Sequence, residues 1–153
     1  MKRFNLNKIV FTILIFTLST FLNAAPEFKK IWETKADFKL PESVIYDKEN
    51  DILYVSNMQD DPFKKDKNGF ISKVDLNGKI LKLKWIKGLN APKGLAISKG
   101  KLYVGDVDQL IEIDIKKGKI IKRHNAIGAT LLNDVAADTK GNIYVSDTFT
   151  DTI

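Results

Sequence analysis

One motif occurs three times in this chain, and it limits the fold more than any other feature. It reads Leu40-Pro41-Glu42-Ser43-Val44, followed by Leu53-Tyr54-Val55-Ser56-Asn57. It returns as Ala91-Pro92-Lys93-Gly94-Leu95 with Leu102-Tyr103-Val104-Gly105-Asp106, and again as Leu131-Leu132-Asn133-Asp134-Val135 with Ile143-Tyr144-Val145-Ser146-Asp147. Tyr54, Tyr103 and Tyr144 stand 49 and 41 residues apart. A period of roughly 40–45 residues built from short strands marks β-propeller blades. The expected class is all-β, a β-propeller of which about two and a half blades are present, with repeats starting near residues 41, 92 and 132.

Each repeat reads as a series of strands. In the first, Val44–Tyr46 and Ile52–Val55 flank the polar turn Asp47 to Asp51, Phe70–Leu76 alternates with period two, and Asn77-Gly78 is a hairpin signal before Lys79–Ile86. In the second, Leu95–Ile97, Leu102–Val104, Leu110–Ile115 and Lys119–Arg123 are separated by Lys99-Gly100 and Lys117-Gly118. Four antiparallel strands make one blade. No segment beyond the leader keeps a 3.6-residue apolar period, so no helix is expected there. Phe28 to Trp32 falls where a fourth strand would lie and reads as an orphan outer strand. The third repeat reaches Thr148 to Ile153 where its third strand would begin. Propellers close with 4–8 blades, so either further blades or self-association of two arcs is needed to complete a ring.

The first residues have a different logic. Lys2, Arg3 and Lys8 precede an apolar run, Ile9 to Leu22, and then Asn23-Ala24-Ala25-Pro26. That is the layout of a secretory signal peptide, 1–24, cut after Ala24. Fourteen residues fall short of the ~18–20 needed to span a bilayer, which argues against a retained anchor. The expectation is a periplasmic or secreted protein with no membrane contact once the signal is gone. Removing Lys2, Arg3 and Lys8 lowers the formal charge from +6 to +3. The chain has no cysteine and one histidine, His124, which excludes disulfides, thiol catalysis and His-rich metal sites.

Aligning the repeats puts Glu42, Lys93 and Asn133 at equivalent places, each opening the first strand of its blade. Polar residues that differ at a repeated position, between flanks that stay alike, read either as a site at the mouth of a channel or as a solvated rim. Asn57, Asp106 and Asp147 recur with little change and read as scaffold, as do Asp75 and Asp114. The loop Met58 to Gly69 is an insertion relative to the second repeat. Its acids do not match a calcium loop, and it reads as a polar cover that could shape access. Lys79, Lys82, Lys84, Lys119, Lys122 and Arg123 alternate with Leu81, Leu83 and Ile121 as guards of exposed edge strands. No aromatic stacking platform accompanies them, so no nucleic-acid partner is expected. Gly88 to Gly94 has neither the order nor the following helix of a phosphate loop.

Glu42-Ser43-Val44-Ile45-Tyr46-Asp47 with Leu53-Tyr54-Val55, and the segment Leu132-Asn133-Asp134 to Asp138-Thr139-Lys140-Gly141-Asn142-Ile143-Tyr144, resemble motifs of the gluconolactonase superfamily. That group includes the senescence-marker and luciferin-regenerating proteins and is close to NHL-repeat propellers. The resemblance covers about residues 28–153. It implies a six-bladed propeller holding an axial divalent metal, often Ca²⁺, with hydrolysis of a small lactone or ester as the activity. By the same resemblance Glu42 is a metal ligand and Asn133 a substrate contact. Lys93 joins them as a substrate-binding candidate from the repeat alignment. Val44 stands where the family has Pro, and Leu131 where it commonly has Arg. The remaining metal ligands belong to later blades, and Ca²⁺ takes 6–8 oxygens, so residues 25–153 alone are expected to be inactive. The competing expectations are a non-catalytic propeller that binds a small ligand or a protein, and a truncated relic.

Overall fold

A computed structural model describes residues 27–153, and the expected leader with its cleavage site lies outside them. Ten strands form three antiparallel sheets, and the described residues contain no helix. The first sheet is β1 (Pro41–Asp47), β2 (Ile52–Asn57), β3 (Gly69–Asp75) and β4 (Ile80–Leu89), in that spatial order. The second repeats the order with β5 (Pro92–Ser98), β6 (Lys101–Asp106), β7 (Gln109–Asp114) and β8 (Lys119–Asn125). The third pairs β9 (Leu132–Ala137) with β10 (Ile143–Asp147), and Thr152 bridges back to Asp147 where a further strand begins. Residues 31–153 form one compact unit.

The turns follow from side chains that compete for backbone amides. Asp75 accepts from the Asn77 and Lys79 N–H groups, at 2.9 Å each, while Gly78 takes the positive φ of 80° that the hairpin requires. Asp114 does the same for the Lys117 N–H, with Gly118 at φ 61°. Asp47 and Asp138 hold the turns between first and second strands. Each also accepts from an amide side chain, Asn50 or Asn142, and from a tyrosine hydroxyl, Tyr54 or Tyr144.

The first two sheets pack face to face. Tyr54, Ile71, Ile86 and Leu89 from one meet Leu95, Leu102, Val104, Ile111 and Ile113 from the other in a continuous apolar core. The Trp85 ring stacks on Tyr54 with centroids 4.8 Å apart. The third sheet lies on the opposite face of the second, with β9 against β5 and β6. Here the approach is close enough to demand glycine. A Cβ on Gly94 would stand 2.6 Å from the Asp134 Cα, and one on Gly105 would stand 2.8 Å from the Asn133 carbonyl oxygen. The first strands of the three sheets, β1, β5 and β9, therefore run side by side.

Two expectations change. Phe28 to Trp32 is not a strand. An outer strand needs a third strand beside it, and β3 and β7 already have partners on both edges. Trp32 instead lies over Gly78. The first strands also begin earlier than the apolar alternation shows. They start at Pro41 and Pro92 and pass through a register shift before Val44 and Leu95. An extra residue breaks period-two alternation, so the pattern becomes legible only after the irregularity.

Candidate functional site

The same β-bulge occurs at the start of all three first strands. Pro41 pairs with Asn57 and Val44 with Val55, so Glu42 and Ser43 together oppose Ser56. In the second sheet Lys93 and Gly94 oppose Gly105. In the third, Asn133 and Asp134 oppose Ser146. The serine hydroxyl satisfies the amide that the bulge frees: Ser56 Oγ accepts from the Ser43 N–H, and Ser146 Oγ from the Asp134 N–H, both at 3.0 Å. Bulges re-aim side chains and are common beside functional sites. Glu42, Lys93 and Asn133, aligned in the sequence, occupy one local geometry three times over on adjacent strands.

Each bulge is anchored by the polar residue that ends the second strand. Buried Asp106 accepts from the Asn90 N–H at 2.9 Å and the Ala91 N–H at 2.7 Å, clamping the approach to β5. Asp147 accepts from the Thr130 N–H at 2.6 Å, the Thr130 hydroxyl at 2.9 Å and the Leu131 N–H at 3.3 Å, and also holds the following turn through Phe149 and Thr150. Asn57 accepts from the Lys39 N–H and donates to Val55 O and Ser72 Oγ. The scaffold reading of these three residues therefore has a specific content: they fix the loop that enters each first strand.

The electrostatics of the three bulges are linked. Burial raises the Glu42 carboxyl above its ordinary range, nearby Asp134 raises it further, and Lys93 opposes both. Lys93 is buried, and loss of water pulls its ammonium below the ordinary lysine value, against the attraction of Asp106 and Glu42. Asn133 is half-buried, with its carbonyl against Gly94 and Gly105. Asp134 was not singled out by the repeat alignment, although it adjoins Asn133 in the motif. A bulge sets two residues where a regular strand sets one, so the alignment needed a pair at this place. The Asp134 side chain is exposed and lines a shallow cleft of about 430 Å³ with Ala136, Tyr144 and Ser146, on the face of the third sheet away from the second.

The insertion after β2 adds to the same end of the sheets. Lys93 Nζ donates to Pro62 O at 2.8 Å and to Ala91 O at 3.0 Å. The insertion's acids are occupied locally: Asp61 accepts from the Phe63 N–H, while Asp60 and Asp66 accept from Asn68. Among the described residues no three His, Cys, Asp or Glu side chains gather as a metal site. Glu42 and Asp134 supply two carboxylates, with the Asn133 amide next to Asp134 in sequence, which falls short of a Ca²⁺ shell. His124 lies elsewhere, at 2.9 Å from Glu112, which also pairs with Lys101 across β6 and β7.

No protein-family model matches the chain, and no curated protein does. Among solved structures, it is similar to the computationally designed Ika4 protein at 16% identity with a TM-score of 0.45. That alignment covers 70% of this chain and spans 65% of the Ika4 chain.

Proposed function

We propose that the chain is part of an exported β-propeller of gluconolactonase type, in which the bulged ends of the first strands face a central channel and form a small-molecule site. The observation that carries this reading is the repeated bulge: three adjacent strands present Glu42, Lys93 and the pair Asn133-Asp134 from one geometry, and Glu42 senses the charges of both neighbours. In this reading Glu42 is the divalent-metal ligand, Asn133 contacts substrate, and later blades complete the ring and the metal shell. When bound, such a metal would polarise a lactone or ester carbonyl and activate water. Glu42 and Asn133 would hold and orient, and little further acid or base chemistry would be asked of a chain without cysteine.

A non-catalytic binding site is the second reading, favoured by Lys93. Its fixed ammonium already provides Glu42 with a counter-charge inside the site. Calcium titration by calorimetry on the longest native form separates the two. The hydrolase reading expects Ca²⁺ binding and lactone turnover that are both lost in Glu42→Gln. Turnover that survives Glu42→Gln excludes it. A ligand bound equally well with and without Ca²⁺ supports the second reading.

A further inference from the structure

The eleven residues 58–68 leave the first sheet and return to it, yet they touch the other two. Buried Lys93 of β5 reaches Pro62 O. Lys65 pairs with Asp108, in the turn between β6 and β7, at 2.7 Å. Phe63 stacks on Phe149, which follows β10, with centroids 6.2 Å apart and planes at 22°. The equivalent connection in the second sheet is only residues 107–108, so joining two strands does not require this length.

From these contacts we infer that residues 58–68 form a lid over the bulged ends of the first strands, and that Lys93 is its latch. What the lid covers rests on the site reading above, whereas the latch stands on the contacts themselves. Lys93 thereby becomes a positioning residue in the closed state. The three tethers are unequal. The Lys65–Asp108 pair is solvent-exposed on the lysine side and Phe63 and Phe149 are both exposed, so those contacts are individually weak. The Lys93 ammonium is out of water, and its known acceptors are two neutral carbonyls, one of them belonging to the lid. A hydrogen bond from a charged donor held out of water is worth more than a solvent-exposed ion pair, which makes this tether the strong one. The ammonium has three donors and Pro62 O and Ala91 O take two, so a ligand group that engages it opens the lid by drawing it away from Pro62 O. A carboxylate or phosphate out-competes a neutral carbonyl for an ammonium, so an anionic ligand group is the matching key.

The lid carries its own reporters, Lys64, Lys65 and Lys67, which trypsin cuts only when the segment is free to unfold locally. The experiment is limited trypsinolysis of the ligand-free whole chain, read by mass spectrometry, for wild type, Lys93→Met and Asp108→Asn. Lys93→Met keeps the apolar stem and removes the donor. Cutting within 64–67 should speed up about tenfold or more in Lys93→Met, equivalent to about 1.4 kcal/mol. In Asp108→Asn the gain should be about twofold to fivefold. An unchanged rate in folded Lys93→Met overturns the latch. Wild-type cutting at these lysines as fast as in urea overturns the lid. If Lys93→Met does not fold, Lys93→Gln, which removes the ammonium and keeps a polar side chain, replaces it: faster cutting within 64–67 supports the latch and an unchanged rate overturns it. No ligand or turnover enters the assay, so failure of the hydrolase reading leaves its result intact.

Discussion

Tyr54 and Tyr144 occupy the same place in their repeats and make the same bond, each hydroxyl donating to an aspartate at 3.3 Å. Tyr54 is fully buried, while Tyr144 is 47% exposed. The tyrosine in the first sheet faces the second sheet and stacks on Trp85, whereas the one in the third sheet faces outward over a shallow cleft. The outer face of the first sheet shows the same contrast: Val44 is 62% exposed, and its equivalent Leu95 is 7% exposed. One sequence pattern gives two burial states. The motif builds the strand, and the neighbouring sheet decides what the strand contributes to stability.

Paired variants can break or sharpen that comparison. The largest effect belongs to Tyr54→Ala, which should cost about 3–5 kcal/mol in urea unfolding, because it empties a packed position. Tyr144→Ala should cost no more than about 1 kcal/mol, since the side chain is half in solvent. Equal losses would mean that the repeats, and not their neighbours, set the energetics. Next is Gly105→Ala. Its new methyl meets the Asn133 carbonyl at 2.8 Å, so overpacking should cost about 1–3 kcal/mol and raise amide exchange in β9.

Asp147 gives a smaller and pH-dependent effect. Burial pushes its carboxyl up, but bonds from the Thr130 N–H and hydroxyl and from the Phe149 and Leu131 N–H groups prevail and hold it at about 2, below the ordinary 3.8. A depressed folded-state value means stabilisation that is present above about pH 4 and lost as pH falls toward 2. Thermal melts across that window should show a fall in stability that is flatter in Asp147→Asn. An identical slope in the variant would remove Asp147 as the cause. Smallest of all, Val44→Ala should stay within about 0.5 kcal/mol of wild type in the same urea assay.

The strands and turns were legible because they rest on local chemistry. Alternation marked β3, Asn77-Gly78 marked its hairpin, and the recurring aspartates marked the anchors. The bulges were not legible, since an inserted residue cancels the alternation that would reveal it. Alignment of the repeats brings out the bulge positions Glu42, Lys93 and Asn133 but not Asp134, because it allows one residue where the backbone holds two. The tether from Lys93 to Pro62 leaves no trace in sequence, because its acceptor is a backbone carbonyl brought close by the fold. Phe28 to Trp32 reads as a strand from its place before the first repeat, and among the described residues no strand pairs with it, which position in the sequence does not report.

The stacking of the sheets also has a handed logic. The face that the first sheet turns to the second carries Tyr54 and Ile71, and the face that receives it carries Leu95, Leu102 and Val104. The two are unlike, as plug and socket are unlike. The third sheet leaves a plug-type face outward, with Tyr144, and the first leaves a socket-type face, with Val44 and Tyr46. Contact through such faces has no two-fold axis. It is a head-to-tail joint, which closes into a ring when the rotation per step divides the circle and otherwise continues as a fibre.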